Sequence, residues 1–284
     1  IAKTVLMRHC DNDEVVAVWL SCVLQERETV LLNASEKSRP VEYRRWFTDK
    51  TEIAEYYQLA EKLYSTFTGK TKVFSPCVFP WYEARMSRSN LAEILCTLAA
   101  MSGDDEKIDR ACGLIKECNP DLRHYYFSTL LRIPKTPVQR KSAVEGIADR
   151  ETYTRKAAYD IVSEMKLSAD EYRSVENNLR LKGEDIRKYS MELLMRQSED
   201  GLTQCIHRLL EDSREEVRLG GLDMLIQLKK DRKRSKIADS FAGILSERAK
   251  ADDLSSKEKL LLDSLVPAEA GVGAEKAVLF SAND

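Results

Sequence analysis

The chain has 284 residues, 43% of them hydrophobic, enough to bury a core in one elongated domain or two compact ones. Its 45 lysines and arginines nearly cancel its 47 aspartates and glutamates, so no global field marks it as a nucleic-acid or membrane-surface protein. Eleven glycines, seven prolines and little strand-like alternation favour an all-α fold, and no apolar run approaches the ~20 residues that cross a bilayer.

No basic stretch leading into an apolar one opens the sequence, so a soluble, cytoplasmic protein without a membrane partner is expected. The start at Ile1 and the Gly/Ala-rich end, EAGVGAEKAVLFSAND, point to a fragment of a longer protein. Seven scattered cysteines (Cys10, Cys22, Cys77, Cys96, Cys112, Cys118, Cys205) read mostly as buried, reduced thiols. None of His9, His124 and His207 forms a zinc spacing with any pair of them, so neither a metal nor another cofactor is expected.

In chain order, DNDEVVAVWLSCVLQER (11–27) and EIAEYYQLAEKLYSTF (52–67) predict long amphipathic helices, with Trp19 and Trp46 as packing residues. GKTKVFSPCVFPWYEARMSR (69–88) breaks the pattern with Pro76 and Pro80 and predicts a loop or short extended segment. Its rings, Phe74, Phe79, Trp81 and Tyr82, would suit peptide or base stacking beside Arg85 and Arg88 if exposed. The preferred reading is a cap that buries them at the first end of a helical stack. A further helical pair follows at 89–102 and 105–118, so residues 1–118 read as degenerate helical repeats.

Regular repeats occupy 119–248. Arg123, Arg155, Arg187 and Arg218 recur at intervals of 32, 32 and 31 residues. Tyr159, Met191 and Leu222 stand four residues after their arginines, and Val162, Leu194 and Leu225 seven after, which is one face of a helix. A second register, Val144, Val175, Ile206 and Ile237, repeats every 31 residues, with Ala148, Leu179, Leu210 and Phe241 four residues later. The unit is therefore a helix pair. First helices are predicted near 122–132, 151–165, 184–197 and 214–229, and second helices near 137–149, 169–181, 199–211 and 234–248.

Helix starts agree with this division. SADE (168–171), SREE (213–216) and SSKE (255–258) each place Ser three residues before Glu, the reciprocal capping pattern. Asn119 before Pro120 is an N-cap with proline at N1, Pro137 opens a helix in the same way, and Gly183 suits a left-handed helix end. Beyond the repeats, 249–284 is expected to hold a capping helix and an exit segment.

Asp149 precedes Arg155, and Asp212 precedes Arg218, by six residues. With the small residues and leucines that follow, this resembles the short-period HEAT-repeat family. The resemblance covers about 120–248 and implies an α-solenoid, an α-α superhelix of stacked antiparallel helix pairs, in which the arginines pair with acids of their own or the preceding unit. Glu117 stands in the equivalent place before Arg123. Leu181 does not serve for Arg187, which needs Glu184, Asp185 or a neighbour's acid. The competing role for the arginines is a stripe that grips phosphates. The wider plan is similar to that of bacterial proteins of unknown function in which such units precede a molybdate-regulator-like domain.

KKDRKRSK (229–236) concentrates Lys229, Lys230, Arg232, Lys233, Arg234 and Lys236 between the helices of the last clear unit. A solvated connector is the preferred reading, and a patch for nucleic acid or an acidic partner is the alternative. No P-loop, G-x-G-x-x-G, G-x-S-x-G or H-E-x-x-H occurs, and His124 and His207 read as packed, so no catalytic residue is assigned. The function expected is a non-catalytic protein-interaction scaffold binding a protein or peptide. One alternative is a nucleic-acid-binding or repair module of the HEAT-like alkylpurine glycosylase type, although all three tryptophans here precede the regular repeats. The other is a structural spacer within a larger enzyme.

Overall fold

A computed structural model describes residues 8–9, 11–35, 50–75, 81, 83–251 and 253–266. Among these the chain is almost wholly helical. The helices run in the order α1 (Asp13–Ser35), α2 (Lys50–Thr66), α3 (Arg88–Ser102), α4 (Asp105–Leu114), α5 (Pro120–Leu130) and α6 (Pro137–Gly146). There follow α7 (Thr152–Glu164), α8 (Ala169–Asn178), α9 (Glu184–Leu194), α10 (Glu199–Leu210), α11 (Glu215–Lys230), α12 (Ser235–Ser240), α13 (Ala242–Arg248) and α14 (Ser256–Leu265). Trp46 lies outside the described residues.

The segment that breaks the helical pattern is a hairpin. Strands β1 (Thr71–Phe74) and β2 (Ala84–Ser87) pair antiparallel, with Thr71 opposite Ser87 and Phe74 opposite Ala84. Phe74, Ala84 and Met86 are buried, whereas Val73 is exposed, so the short ribbon has one inner face.

The chain divides into two compact units, 1–174 and 175–284, with the boundary inside α8. The boundaries expected at 118/119 and 248/249 thus fall within units. In the first unit α3 is the central helix, packed by α1, α2, α4 and α5, and it is apolar nearly all round, from Leu91 to Met101. Here α5 packs on α7 and α4 on α6, so first helices meet first helices and second helices meet second helices. In the second unit α11 is the hub, in contact with α9, α10, α12 and α14.

Local chemistry explains most helix ends. Asn119 accepts from the Asp121 amide before Pro120, and Thr136 accepts from the Gln139 amide before Pro137. Ser168 and Glu171 form the reciprocal box, Glu171 N donating to Ser168 Oγ at 3.3 Å and Ser168 N to Glu171 Oε2 at 2.8 Å. Gly103 ends α3 at φ 62°, a left-handed position that glycine adopts without steric cost.

Three expectations need correction. Gly183 has φ −71° and is the N-cap of α9, not a left-handed end. Ser213 does not cap α11: its N-cap is Arg214, whose amide donates to Asp212 Oδ1 at 2.8 Å, so the aspartate one residue earlier has displaced the serine. The helix expected over 234–248 is two helices, broken where Phe241 N bonds Ala238 O in an i→i−3 turn that leaves the Phe241 ring fully buried.

Candidate functional site

The four repeated arginines lie just inside first helices, and three of them hold the turn that leads into their own helix. Arg123 Nη2 donates to Cys118 O (3.5 Å), Arg155 Nη1 to Arg150 O (2.9 Å) and Arg218 Nη1 to Ser213 O (2.9 Å), each a carbonyl five residues back. Arg155 and Arg218 also reach the carbonyl six back, on Asp149 and Asp212.

It is therefore the main chain of these aspartates, not the carboxylate, that faces its own arginine. The Asp149 carboxylate accepts instead from Arg123 of the preceding unit at 2.9 and 3.2 Å. The Asp212 carboxylate takes a bidentate contact from Arg214 and is held down at about 2 by it. Arg218 reaches forward to Glu258 at 3.0 and 3.1 Å, and Arg187 forward to Asp223 at 2.8 Å and to Glu216 O at 2.9 Å. Glu117 pairs with Arg88 and Tyr64 rather than Arg123. Spacing alone pointed to the wrong acid because a six-residue offset places the backbone, and not the side chain, within reach of the fork.

The basic run is partly consumed by structure. Lys229 Nζ donates to Leu265 O at 2.7 Å, and Arg234 donates to Met195 O at 2.7 Å and to Asp231 Oδ2 at 2.9 Å. Lys230, Arg232, Lys233 and Lys236 remain exposed. The aromatic set is dispersed: Phe74 is buried in β1, Trp81 is 79% exposed, and Phe79 and Tyr82 lie outside the described residues. A cap that buries all four rings therefore does not hold for Trp81. His207 packs against Phe241 with ring centroids 4.5 Å apart and the planes tilted by 44°, and burial lowers the His124 pKa beside Tyr125. Among the described residues no three His, Cys, Asp or Glu side chains converge to hold a metal ion, and no helix is long and apolar enough to cross a membrane.

A groove of about 640 Å³ lies in the second unit over α9, α11 and α14. Leu181, Leu219, Leu260 and Leu261 supply its apolar surface, and Leu260 is 71% exposed. Around them stand Glu184, Glu215, Glu216 and Asp223 together with Lys182, Arg187 and Lys257. Arg187 and Asp223 neutralise each other directly at 2.8 Å, and Glu216 acts electrostatically on Arg214. Glu215 and Glu216 are placed favourably in the first turn of α11, where carboxylates complement the helix dipole.

The signal for this groove lay in SSKEKLLLDSL. With Glu258, Leu262 and Leu265 turned inward at helical spacing, Leu260 and Leu261 have no core to enter. A second cleft of about 360 Å³, between α6 and the start of α8, is closed at one side by Arg140 gripping both oxygens of Glu171 at 2.8 Å.

Fold and site together define a mostly helical protein with arginine-held turns and an apolar groove rimmed by both signs of charge. The chain belongs to a family of unknown function, DUF5724, which matches it over residues 1–280. No curated protein and no solved structure matches it.

Proposed function

We propose that the chain is a HEAT-like α-solenoid acting as a non-catalytic interaction scaffold, and that the groove over α9, α11 and α14 receives an apolar-anchored segment of a protein partner. The observation that carries this reading is the exposed Leu260, in one groove with Leu261 and Leu219, inside a rim that carries both acids and bases. Exposed leucines in a concave site suit apolar anchors of a peptide. A rim with four carboxylates suits a polyanion poorly, since phosphate binding rests on accumulated positive charge. The 31-residue spacing and the packing of like helices on like within the first unit support the solenoid.

Panning a displayed peptide library against the chain, with Leu260→Asp as counter-target, tests the reading. Peptides carrying apolar anchors should be enriched, and they should bind Leu260→Asp at least about tenfold more weakly, as expected when one buried anchor is lost. Equal binding to both proteins would remove the groove from the proposal.

A further inference from the structure

Cys96 on α3 and Cys118, which follows the 3-10 turn Ile115–Glu117, bring their sulfurs together in the core of the first unit. Cys118 Sγ lies 3.8 Å from Cys96 Sγ, and its alternative acceptor is Leu114 O at 3.6 Å. Cys96 Sγ points at Ala111 O at 3.7 Å. Both residues are buried and both thiols are free. A disulfide requires an S–S distance of ~2.05 Å, so the two sulfurs must close by roughly 1.7 Å. The shorter of the two elements that must shift is the single 3-10 turn Ile115–Glu117, against the 15-residue helix α3.

The turn has an outer latch. Lys116 and Glu117, which precede Cys118 in the chain, are exposed, and Glu117 is held by Arg88 Nε at 2.9 Å and by the Tyr64 hydroxyl at 2.8 Å. These exposed contacts are weak and screened by salt, and they give way first; the long 3.5 Å bond from Arg123 Nη2 to Cys118 O and the Asn119 N to Glu93 Oε1 bond at 2.9 Å hold the inner side of the turn.

We propose that Cys96 and Cys118 are an oxidisable dithiol, which closes to a disulfide when the Glu117 latch opens and thereby ties α3 to the turn that feeds α5. With a small-molecule disulfide RSSR as oxidant, the Cys118 thiolate attacks one sulfur, forming Cys118–S–SR and releasing RS⁻. The Cys96 thiolate then attacks the Cys118 sulfur and releases the second RS⁻. The two protons lost by the cysteines end on the two RSH, so two thiols are oxidised and one disulfide is reduced. Burial raises the Cys96 thiol pKa as it does that of Cys112, so geometry and not acidity selects the pair: Cys118 Sγ touches Cys96 Sγ, and Cys112, buried nearby, serves as the internal control.

The test incubates the full chain with oxidised glutathione, alkylates remaining thiols, digests it and maps the peptides by mass spectrometry. A peptide pair linked through Cys96 and Cys118, lighter by two hydrogens, is expected, with Cys112 still alkylated. Linkage should survive Cys112→Ser and should form at least about threefold faster in Glu117→Gln, in which opening is easier. The oxidised chain should melt on the order of 5 °C higher, since the bond closes a loop in the unfolded chain. Alkylation of both Cys96 and Cys118 after exhaustive oxidation, or linkage of either to Cys112, overturns the pair. An unchanged rate in Glu117→Gln overturns the latch. The peptide map of the unaltered chain decides the main point even if a variant fails to fold.

Discussion

Arg218 lays its fork against the Glu258 carboxylate, Nε to Oε1 at 3.0 Å and Nη2 to Oε2 at 3.1 Å, joining the hub helix α11 to α14. Arg248 approaches the same carboxylate from α13 at 3.0 and 3.4 Å, and Glu258 is only 1% exposed. One acid is thus shared by two cations from two helices. This explains why Glu258 does not complete the reciprocal cap expected of SSKE: Ser255 Oγ accepts the Glu258 amide at 3.1 Å, but both carboxylate oxygens are taken.

Removing that carboxylate leaves Arg218 facing Arg248 without the anion between them, although Arg248 keeps the exposed Asp253 at 2.9 and 3.4 Å. Glu258→Gln is therefore expected to destabilise the second unit by about 3 kcal/mol, and Arg218→Ala by about 1–3 kcal/mol because Arg248 still compensates Glu258. Urea denaturation of each variant measures this. If Arg218→Ala kept the original midpoint, the arginine would not be a structural residue, and its role would have to be sought in ligand binding.

The same carboxylate sets a pH dependence. Its arginine partners hold the Glu258 pKa below the ordinary glutamate value against the opposing effect of burial, and Asp212 is held at about 2 by Arg214. A carboxyl with a depressed folded-state pKa contributes stability above its unfolded pKa and loses it as pH falls through the folded one. Stability should therefore be flat above about pH 5 and fall steadily below about pH 4, the range set by ordinary carboxyl pKa values. The fall should be shallower in Glu258→Gln. Thermal melts between neutral pH and pH 3 check it, and parallel curves for the two proteins would assign the acid sensitivity to other groups.

How much of this was legible in the sequence follows from what periodicity encodes. The i, i+4, i+7 stripes placed α5 to α11 within a few residues of their observed bounds, because apolar spacing reports which face is buried. The partners of the arginines were not legible in the same way. Asp149 and Glu258 lie 26 residues after Arg123 and 40 after Arg218, and such pairings depend on how helices pack rather than on local spacing. The hairpin at 71–74 and 84–87 was readable only as an interruption, since four-residue strands carry too few alternations to register. The groove was readable in part: three consecutive leucines at 260–262 cannot all face one core, but nothing local shows that Leu219 and Glu184 come beside them.

Close packing in the first unit makes Gly146 a sensitive position. A Cβ there would lie 2.2 Å from Phe127 Cζ and 2.9 Å from Ala158 Cβ, at the meeting of α5, α6 and α7. Phe127 is buried and cannot swing aside without opening a void. Gly146→Ala, which would otherwise gain helix propensity, is expected to cost about 1–3 kcal/mol by overpacking. A paired Phe127→Leu change should recover part of the loss. A gain in stability for Gly146→Ala alone would show that α6 and α7 are less closely packed than these distances require.

The exposed cations of the run 229–236 separate the protein-binding reading from the nucleic-acid one. Lys229 and Arg234 are committed to the carbonyls of Leu265 and Met195, which leaves Lys230, Arg232, Lys233 and Lys236 for solvent or a ligand. If those four engaged four phosphates of a duplex, binding would weaken with salt at a log–log slope of about −3.6, from roughly −0.9 per phosphate. The expected result is no such binding. Lys230 ends α11, Arg232 and Lys233 sit in the bend with Asp231, and Lys236 lies in the first turn of α12, so the four cations are spread over three elements and do not line one groove. A fluorescence titration of generic duplex DNA at low salt, repeated with Lys230, Lys233 and Lys236 all changed to Glu, measures it. Micromolar affinity with a slope near −3.6, abolished in the triple variant, would transfer the proposed function from a protein segment to nucleic acid. Unchanged tryptophan fluorescence and helicity in that variant would confirm that the loss was not one of folding.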